Sequence, residues 1–421
     1  MSRCVALPVV AAAAALPRLA ALLVERGDVL AHFVEKSDDF ARTYVASGTY
    51  GFVPGVPSAY TQPLYGFFLV PLYELFGRSW ASIGIAQILL AVATALLVYE
   101  LGRRWVSPRA GLAAALVTTL SPYLVWHDVH VNREIVDQPL AVALVLLALL
   151  AAERRSLALA ALLGAVAGLA ILGNTRLLLL PLLAAAYLAW QVRPLPRALA
   201  LGAASVAVAA AVVAPWVVRN HVEVGCATVT TDSRALWKAN NPQTREILSS
   251  GRWIDAVDDL PGTPPTPQDA GGIYEATGRV VRVDECEQMR FYQERVLEFW
   301  REQPGEKAVL AAIGAGMLWS PVATPREDRP GAGTWLDLGR TVALPLWTLA
   351  LYVLALAGAR LLPRRLLVVA LVLLAYQTLV AMAFVGATRY RVPWDFLLAL
   401  PAGAALVRGL DYVRARSSAR S

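Results

Sequence analysis

Charge is scarce in this chain. Only 16% of its 421 residues are Asp, Glu, Lys or Arg, against roughly a quarter in soluble domains, so a fully solvated globular surface is excluded. Cysteine is scarcer still: there are three, with none in CxxC spacing, which excludes a zinc ribbon and a thioredoxin-like redox pair. Of the four histidines only His127 and His130 stand close together. With Asp128 between them they read either as a metal-ligand pair or as imidazoles anchored at an interface. No GxxxxGK[ST] stretch occurs, so a phosphate-cradling nucleotide loop is excluded. Sustained polar–apolar alternation is also missing, which excludes a membrane β-barrel.

Apolar sequence is abundant instead. Hydrophobic residues make up 57% of the chain, and the mean hydropathy is +0.53. Runs of the length that crosses a ~30 Å hydrocarbon core as a helix recur along it. They fall at 5–24, 80–101, 110–126, 136–152, 156–172, 177–190, 198–218, 341–358, 366–385 and 392–407. The expectation is an all-α polytopic membrane protein of about ten transmembrane helices, with the first run an uncleaved span. The net charge of +7 would suit a nucleic-acid partner, but its placement points elsewhere. Arginines gather in short turns, as Arg103, Arg104 and Arg109, Arg154 and Arg155, Arg193 and Arg197, Arg360, Arg364 and Arg365, and Arg408, Arg414, Arg416 and Arg420. That is the positive-inside pattern, so these turns face the cytoplasm and no nucleic acid is expected.

The rest of the chain is read by parity. Residues 1–218 form a membrane core whose first extracytoplasmic loop is 25–65. From 219 to 307 the composition turns polar, is broken by Pro261, Pro264, Pro265 and Pro267, and holds about half of all the acidic residues. This stretch is expected to be a small extracytoplasmic domain, with an amphipathic helix near 284–302 lying against the outer leaflet. Cys226 and Cys286 both lie in it, where an oxidising compartment would permit either a bridge or two unpaired thiols. Residues 308–421 hold an interfacial or re-entrant segment at 308–321, then the last spans.

Candidate chemistry collects on the extracytoplasmic side. The first loop carries the adjacent acids Asp38 and Asp39. Those acids suit either general-base chemistry or the solvated start of a helix. The short loop 127–137 crowds His127, Asp128, His130, Arg133, Glu134 and Asp137 at the membrane surface, where ionisable groups are costly unless paired or functional. Arg133 and Asp137, four apart, could be an i,i+4 ion pair. Arg176, in the turn after Asn174, reads as a side chain snorkelling to headgroups. Arg389 and Arg391 flank Tyr390 in the last loop and oppose the positive-inside trend. Guanidinium groups bind phosphate through paired, charge-assisted hydrogen bonds, so a lipid phosphate is their natural ligand.

Taken in order, SDDFARTYVASGTYGF (37–52), PSAYTQPLYGFFLVPLYELFG (57–77), GRRWVSPRAGLAAALVTTLSPYLV (102–125), NREIVDQPL (132–140), ALWKANNP (235–242) and TRYRVPW (388–394) resemble the C-type glycosyltransferase superfamily. The likeness is to bacterial relatives of the protein O-mannosyltransferases and the lipid A aminoarabinose transferase. The resemblance implies a polyprenyl-phosphate-linked sugar as donor and a glycolipid, envelope polysaccharide or protein as acceptor. It also implies an active site on the extracytoplasmic face of a bacterial plasma membrane. The matching catalytic acid is Asp38 or Asp39. The family more often has an aspartate with a tyrosine a few residues on, whereas here Asp38, Asp39 and Phe40 precede Tyr44, which leaves both acids open. Arg133, Lys238, Arg389 and Arg391 would meet the departing phosphate, and His130, Glu134, Asp137, Tyr65 and Tyr390 would line the cavity. Neither cofactor nor metal is demanded. A flippase or a non-catalytic assembly protein for lipid-linked sugars is the alternative, and it would need no paired acid in the first loop.

Overall fold

The structure is a computed structural model and describes residues 3–260, 263, 265–324 and 334–418. Pro261, Pro264 and Arg420 lie outside the described residues. Helices carry the chain, and among the described residues the one β-bridge is the isolated Val53–Val56 pair. Helix α1 (Arg3–Val24) leads to the first loop with α2 (Ser37–Ser47), then α3 (Pro63–Phe76) and α4 (Trp80–Trp105). Helices α5 (Pro108–Thr119), α6 (Pro122–His127), α7 (Glu134–Arg154), α8 (Leu157–Gly173), α9 (Leu180–Gln191) and α10 (Leu195–Glu223) complete the first half. The polar stretch holds α11 (Arg234–Lys238), α12 (Thr244–Ser249), α13 (Pro267–Thr277) and α14 (Glu285–Glu302). The chain ends with α15 (Pro304–Trp319), α16 (Trp335–Leu338), α17 (Leu344–Gly358), α18 (Arg364–Ala383), α19 (Thr388–Arg391) and α20 (Phe396–Ser418).

All ten expected spans appear as apolar helix. Seven segments are long and apolar enough to cross a membrane: Arg3–Val24, Trp80–Trp105, Glu134–Arg154, Leu195–Glu223, Trp335–Leu361, Arg364–Ala383 and Phe396–Ser418. The other three are short or broken. The run 110–126 divides into α5 and α6 because Pro122 has no amide hydrogen to continue the first helix and Ser121 before it, with ψ 123°, lies outside the helical region. Helices α8 and α9 have 17 and 12 residues. The segment expected near 308–321 is the sixteen-residue α15, which packs along α18.

Small residues let the helices approach closely, as in other membrane bundles. Helix α8 lies along α10, and a Cβ on Gly164 would run into the Ser205 backbone carbonyl. Helix α20 packs on α5 and α17, and α1 on α4. Inside the bundle Arg18 of α1 is 1% exposed. Its Nη2 lies 2.7 Å from Asp128 Oδ2, and its Nη1 donates to the Thr119 carbonyl at 2.9 Å. Gln138 Nε2 donates to the other oxygen of Asp128 at 2.7 Å. A charge at that depth is tolerable only when so fully engaged, which makes α1 an integral part of the core.

The two ends of the bundle differ. At one, the arginine-rich turns meet: Arg104 reaches Glu153 at 3.4 Å, Arg197 donates to the Arg155 carbonyl at 2.6 Å, and Arg109 reaches Asp411 at 2.7 Å. At the other, the first loop, the loop after α6, the turn after α8, the polar stretch and the loop around α19 come together through the contacts described next. A disulfide joins Cys226, just past α10, to Cys286 in α14.

Candidate active site

Helix α2 starts immediately before Asp38 and Asp39, where acids complement the positive end of the helix dipole. The two then diverge. Asp38 is 1% exposed and has both oxygens engaged. Tyr73 donates its hydroxyl to Oδ1, and Arg78 Nε approaches Oδ1 and Oδ2 at 2.9 and 3.1 Å. Asp39 faces the other way, toward α13. Arg42 Nη1 lies 3.2 Å from it, and the same guanidinium reaches Glu275 at 3.3 Å. These three side chains line a cavity of about 220 Å³ with Thr43, Phe52 and Gln268. Burial, with the charge of Asp38 second, lifts the Asp39 carboxyl to about 6.

The charged residues of the loop after α6 converge elsewhere. Arg133 Nη1 donates to Gln62 Oε1 at 2.5 Å and lies 3.5 Å from Glu35 Oε1. Glu134 sits 3.7 Å from His127 Nε2 and within electrostatic reach of Arg133 and Arg389. One oxygen of Asp137 accepts from Asn174 at 3.2 Å. The other is buried and has no hydrogen-bond partner among the described residues. Gly173 abuts that oxygen, and a Cβ there would stand 3.1 Å away and crowd it.

Tyr390 closes the group. Arg176 lies over its ring at 3.9 Å, and Arg389 lies 5.0 Å from the same ring and 5.2 Å from that of Trp253. Arg133 is a further charge near the Tyr390 hydroxyl. Arg133, Arg176, Arg389 and Tyr390 are each only partly buried, although Tyr390 lies among charges from α7, the turn after α8 and α19. The group therefore forms a partly exposed crevice in which three guanidiniums meet the acids Glu134 and Asp137 of the first turn of α7. Several guanidiniums gathered in one partly exposed place suit an anion.

The structure thus brings together Arg133, Arg389, Glu134, Asp137 and Tyr390 of the residues expected from sequence, and sets the others in different surroundings. Arg391 is 2% exposed and bonded to Asp395, to the Leu318 and Ser320 carbonyls and to Tyr352. Lys238 donates to the Asp255 carbonyl and lies 3.8 Å from Asp259, and burial lowers its ammonium from its ordinary value. His130 stands 3.3 Å from Glu25. Tyr65 donates to Gln87, which holds the Asp128 and His130 carbonyls. Three crevice residues are not among those the sequence pattern singles out as a site: Glu35, Gln62 and Arg176. Arg176 carried a signal, since like Arg389 it sits at the end of the bundle opposite the basic turns.

Comparison with known proteins bears on the fold. Residues 57–218 match the profile of the family described as dolichyl-phosphate-mannose-protein mannosyltransferase. Among solved structures, the archaeal oligosaccharyltransferase AglB from Archaeoglobus fulgidus, in complex with an inhibitory peptide and a dolichol-phosphate, superposes with a TM-score of 0.55 at 15% identity. That match covers 98% of this chain and 51% of the other, so the chain spans about half the length of the oligosaccharyltransferase. ArnT from Cupriavidus metallidurans bound to undecaprenyl phosphate gives 0.41 at 17% identity, over 93% of this chain and 76% of that one. Its apo form gives 0.39 at 18%, over 93% and 77%. No curated protein sequence matches.

Proposed function

We infer, from the C-type glycosyltransferase fold of this chain and its mannosyltransferase-like segment, that it moves a sugar from a prenyl-phosphate carrier to an acceptor outside the cytoplasm. The observation that carries this reading is the crevice: Arg133, Arg176 and Arg389 around Tyr390, with the acids of α7 beside them. It lies at the end of the bundle opposite the arginine-rich turns, which the positive-inside rule assigns to the cytoplasm. The Cys226–Cys286 bridge supports an oxidising compartment for the same end.

In this reading the arginines hold the carrier phosphate and take up the charge that builds on it as the glycosidic bond to phosphate breaks. The acceptor hydroxyl attacks the anomeric carbon from the opposite face and loses its proton to a carboxylate of the first loop, so the anomeric centre inverts. Asp38 belongs to this arrangement as the acid that fixes the loop through Tyr73 and Arg78, and Asp39 as a lining group of the cavity against α13. Mass spectrometry of envelope glycans and glycoproteins from cells with and without the chain is the test. A single missing sugar, restored by the wild-type chain and not by an Arg133→Ala, Arg176→Ala double variant, is expected. An unchanged glycan profile would remove the proposal.

A further inference from the structure

Glu35 precedes the two acids of α2 and has a different neighbourhood. Its Oε1 lies 3.5 Å from Arg133 Nη1, and its Oε2 accepts from Ser37 Oγ at 2.9 Å. About a fifth of its side chain stays open, at 21%. It is also within electrostatic reach of Asp137, on the same crevice. Asp38 is closed by Tyr73 and Arg78, and Asp39 looks toward Arg42 and Glu275. Glu35 is thus the acid among these three that the first loop turns to the arginines.

This placement has a consequence for anion binding. Arg133 Nη1 is shared between Gln62 and Glu35, so a phosphate arriving at that guanidinium competes with Glu35. The phosphate has the advantage, because it meets Arg176 and Arg389 as well and forms paired, charge-assisted bonds. A phosphate bound to Arg133 would thus leave the Glu35 carboxylate without its cation, beside that guanidinium.

We propose that Glu35 occupies Arg133 in the empty enzyme, is displaced by the donor phosphate, and then serves as the base for transfer; this rests on the sugar-transfer reading above. The acceptor hydroxyl gives its proton to Glu35 Oε1 while its oxygen bonds to the anomeric carbon. The bond from that carbon to the phosphate oxygen breaks, and its electron pair stays on the phosphate. Glu35 returns the proton to the prenyl phosphate or to water as the product leaves, and re-forms its contact with Arg133. Base and donor are coupled: with no donor bound, the carboxylate is held by a cation and does not activate water.

Binding of farnesyl phosphate to the purified full chain, followed by calorimetry, tests this without knowledge of the acceptor. Glu35→Gln removes the competitor and is expected to bind farnesyl phosphate about three- to tenfold more tightly. The same variant is expected to restore less than about 1% of the missing envelope sugar in cells lacking the chain. Glu35→Asp retracts the carboxylate by one methylene; it should also bind more tightly while restoring part of the sugar, and it carries the test if Glu35→Gln does not fold. Unchanged or weaker farnesyl phosphate binding in the folded variants overturns the proposal, as does full restoration of the sugar by Glu35→Gln. Absence of farnesyl phosphate binding by the wild type would instead bring down the transfer reading itself, and this proposal with it.

Discussion

Arg389 and Arg391 stand on either side of Tyr390 and end in opposite circumstances. Arg391 turns into the bundle, where Asp395, Tyr352 and two backbone carbonyls engage its guanidinium. Arg389 turns into the crevice and leans on the rings of Tyr390 and Trp253. The same contrast separates Arg18, saturated by Asp128, Thr119 and the Ala14 carbonyl, from Arg176, which lies over Tyr390 and Phe384. A buried guanidinium whose hydrogens are spent on fixed acceptors is a strut: it joins helices and has nothing left for a ligand. The arginines around Tyr390 are held in part by its ring, with Arg389 Nη2 donating to the Tyr390 hydroxyl at 3.1 Å, rather than by a buried carboxylate and several backbone carbonyls.

Removing one partner from a saturated pair should give the largest effect. Arg18→Ala leaves Asp128 charged and buried, which costs about 3–5 kcal/mol. Thermal unfolding in detergent should show it as a large fall in Tm or as loss of monodisperse protein. The double change Arg18→Met, Asp128→Leu should recover most of that loss, since an apolar pair of similar volume needs no counter-charge. A single variant as stable as wild type would show that Arg18 is no strut. Crevice arginines should behave in the reverse way. Arg176→Ala is expected to weaken farnesyl phosphate binding about 10- to 100-fold while shifting stability by less than about 1 kcal/mol. Arg391→Lys should instead lower Tm, because an ammonium cannot serve four acceptors in a plane, and leave the affinity of the folded fraction unchanged. An Arg176 variant that unfolds and an Arg391 variant that loses the ligand would erase the distinction.

Much of the bundle was legible because bilayer thickness and the hydrogen-bonding needs of the backbone leave few options for apolar runs of this length. The break between α5 and α6 was legible in principle, as Pro122 marks it. The site was legible only where chain separation is short. Loop 127–137 announced its cluster by crowding charges into eleven positions, yet the i,i+4 reading of Arg133 with Asp137 missed their stronger partners. Arg133 takes Gln62 and Glu35 from the first loop, and Asp137 takes Asn174. The same i,i+4 rule does hold for Arg391 and Asp395, where it marks a strut rather than a ligand site. Asp38 could not be assigned from sequence, because Tyr73 and Arg78 lie 35 and 40 residues away. Spacing records which residues a helix brings together; it does not record which loop folds back over them.

Asp39 gives the smallest expected effect and sharpens the comparison from the acidic side. Its carboxyl is lifted to about 6, by burial first and by the charge of Asp38 second. The folded chain therefore binds this proton more tightly than the unfolded chain does. The stabilisation that results is complete below about pH 4 and is lost as pH rises through 6. With 40% of the side chain open, solvent screening keeps the effect modest. Asp39→Asn cannot ionise, so its Tm should exceed that of wild type by about 1–2 °C at pH 7.5 and converge with it toward pH 4.5. Asp38→Asn has the opposite sign, since it gives up the charge that Tyr73 and Arg78 hold, and it should lower Tm at neutral pH. A difference between Asp39→Asn and wild type that stays flat from pH 4.5 to 8 would mean that the two neighbouring acids are not divided between one engaged carboxylate and one strained by burial.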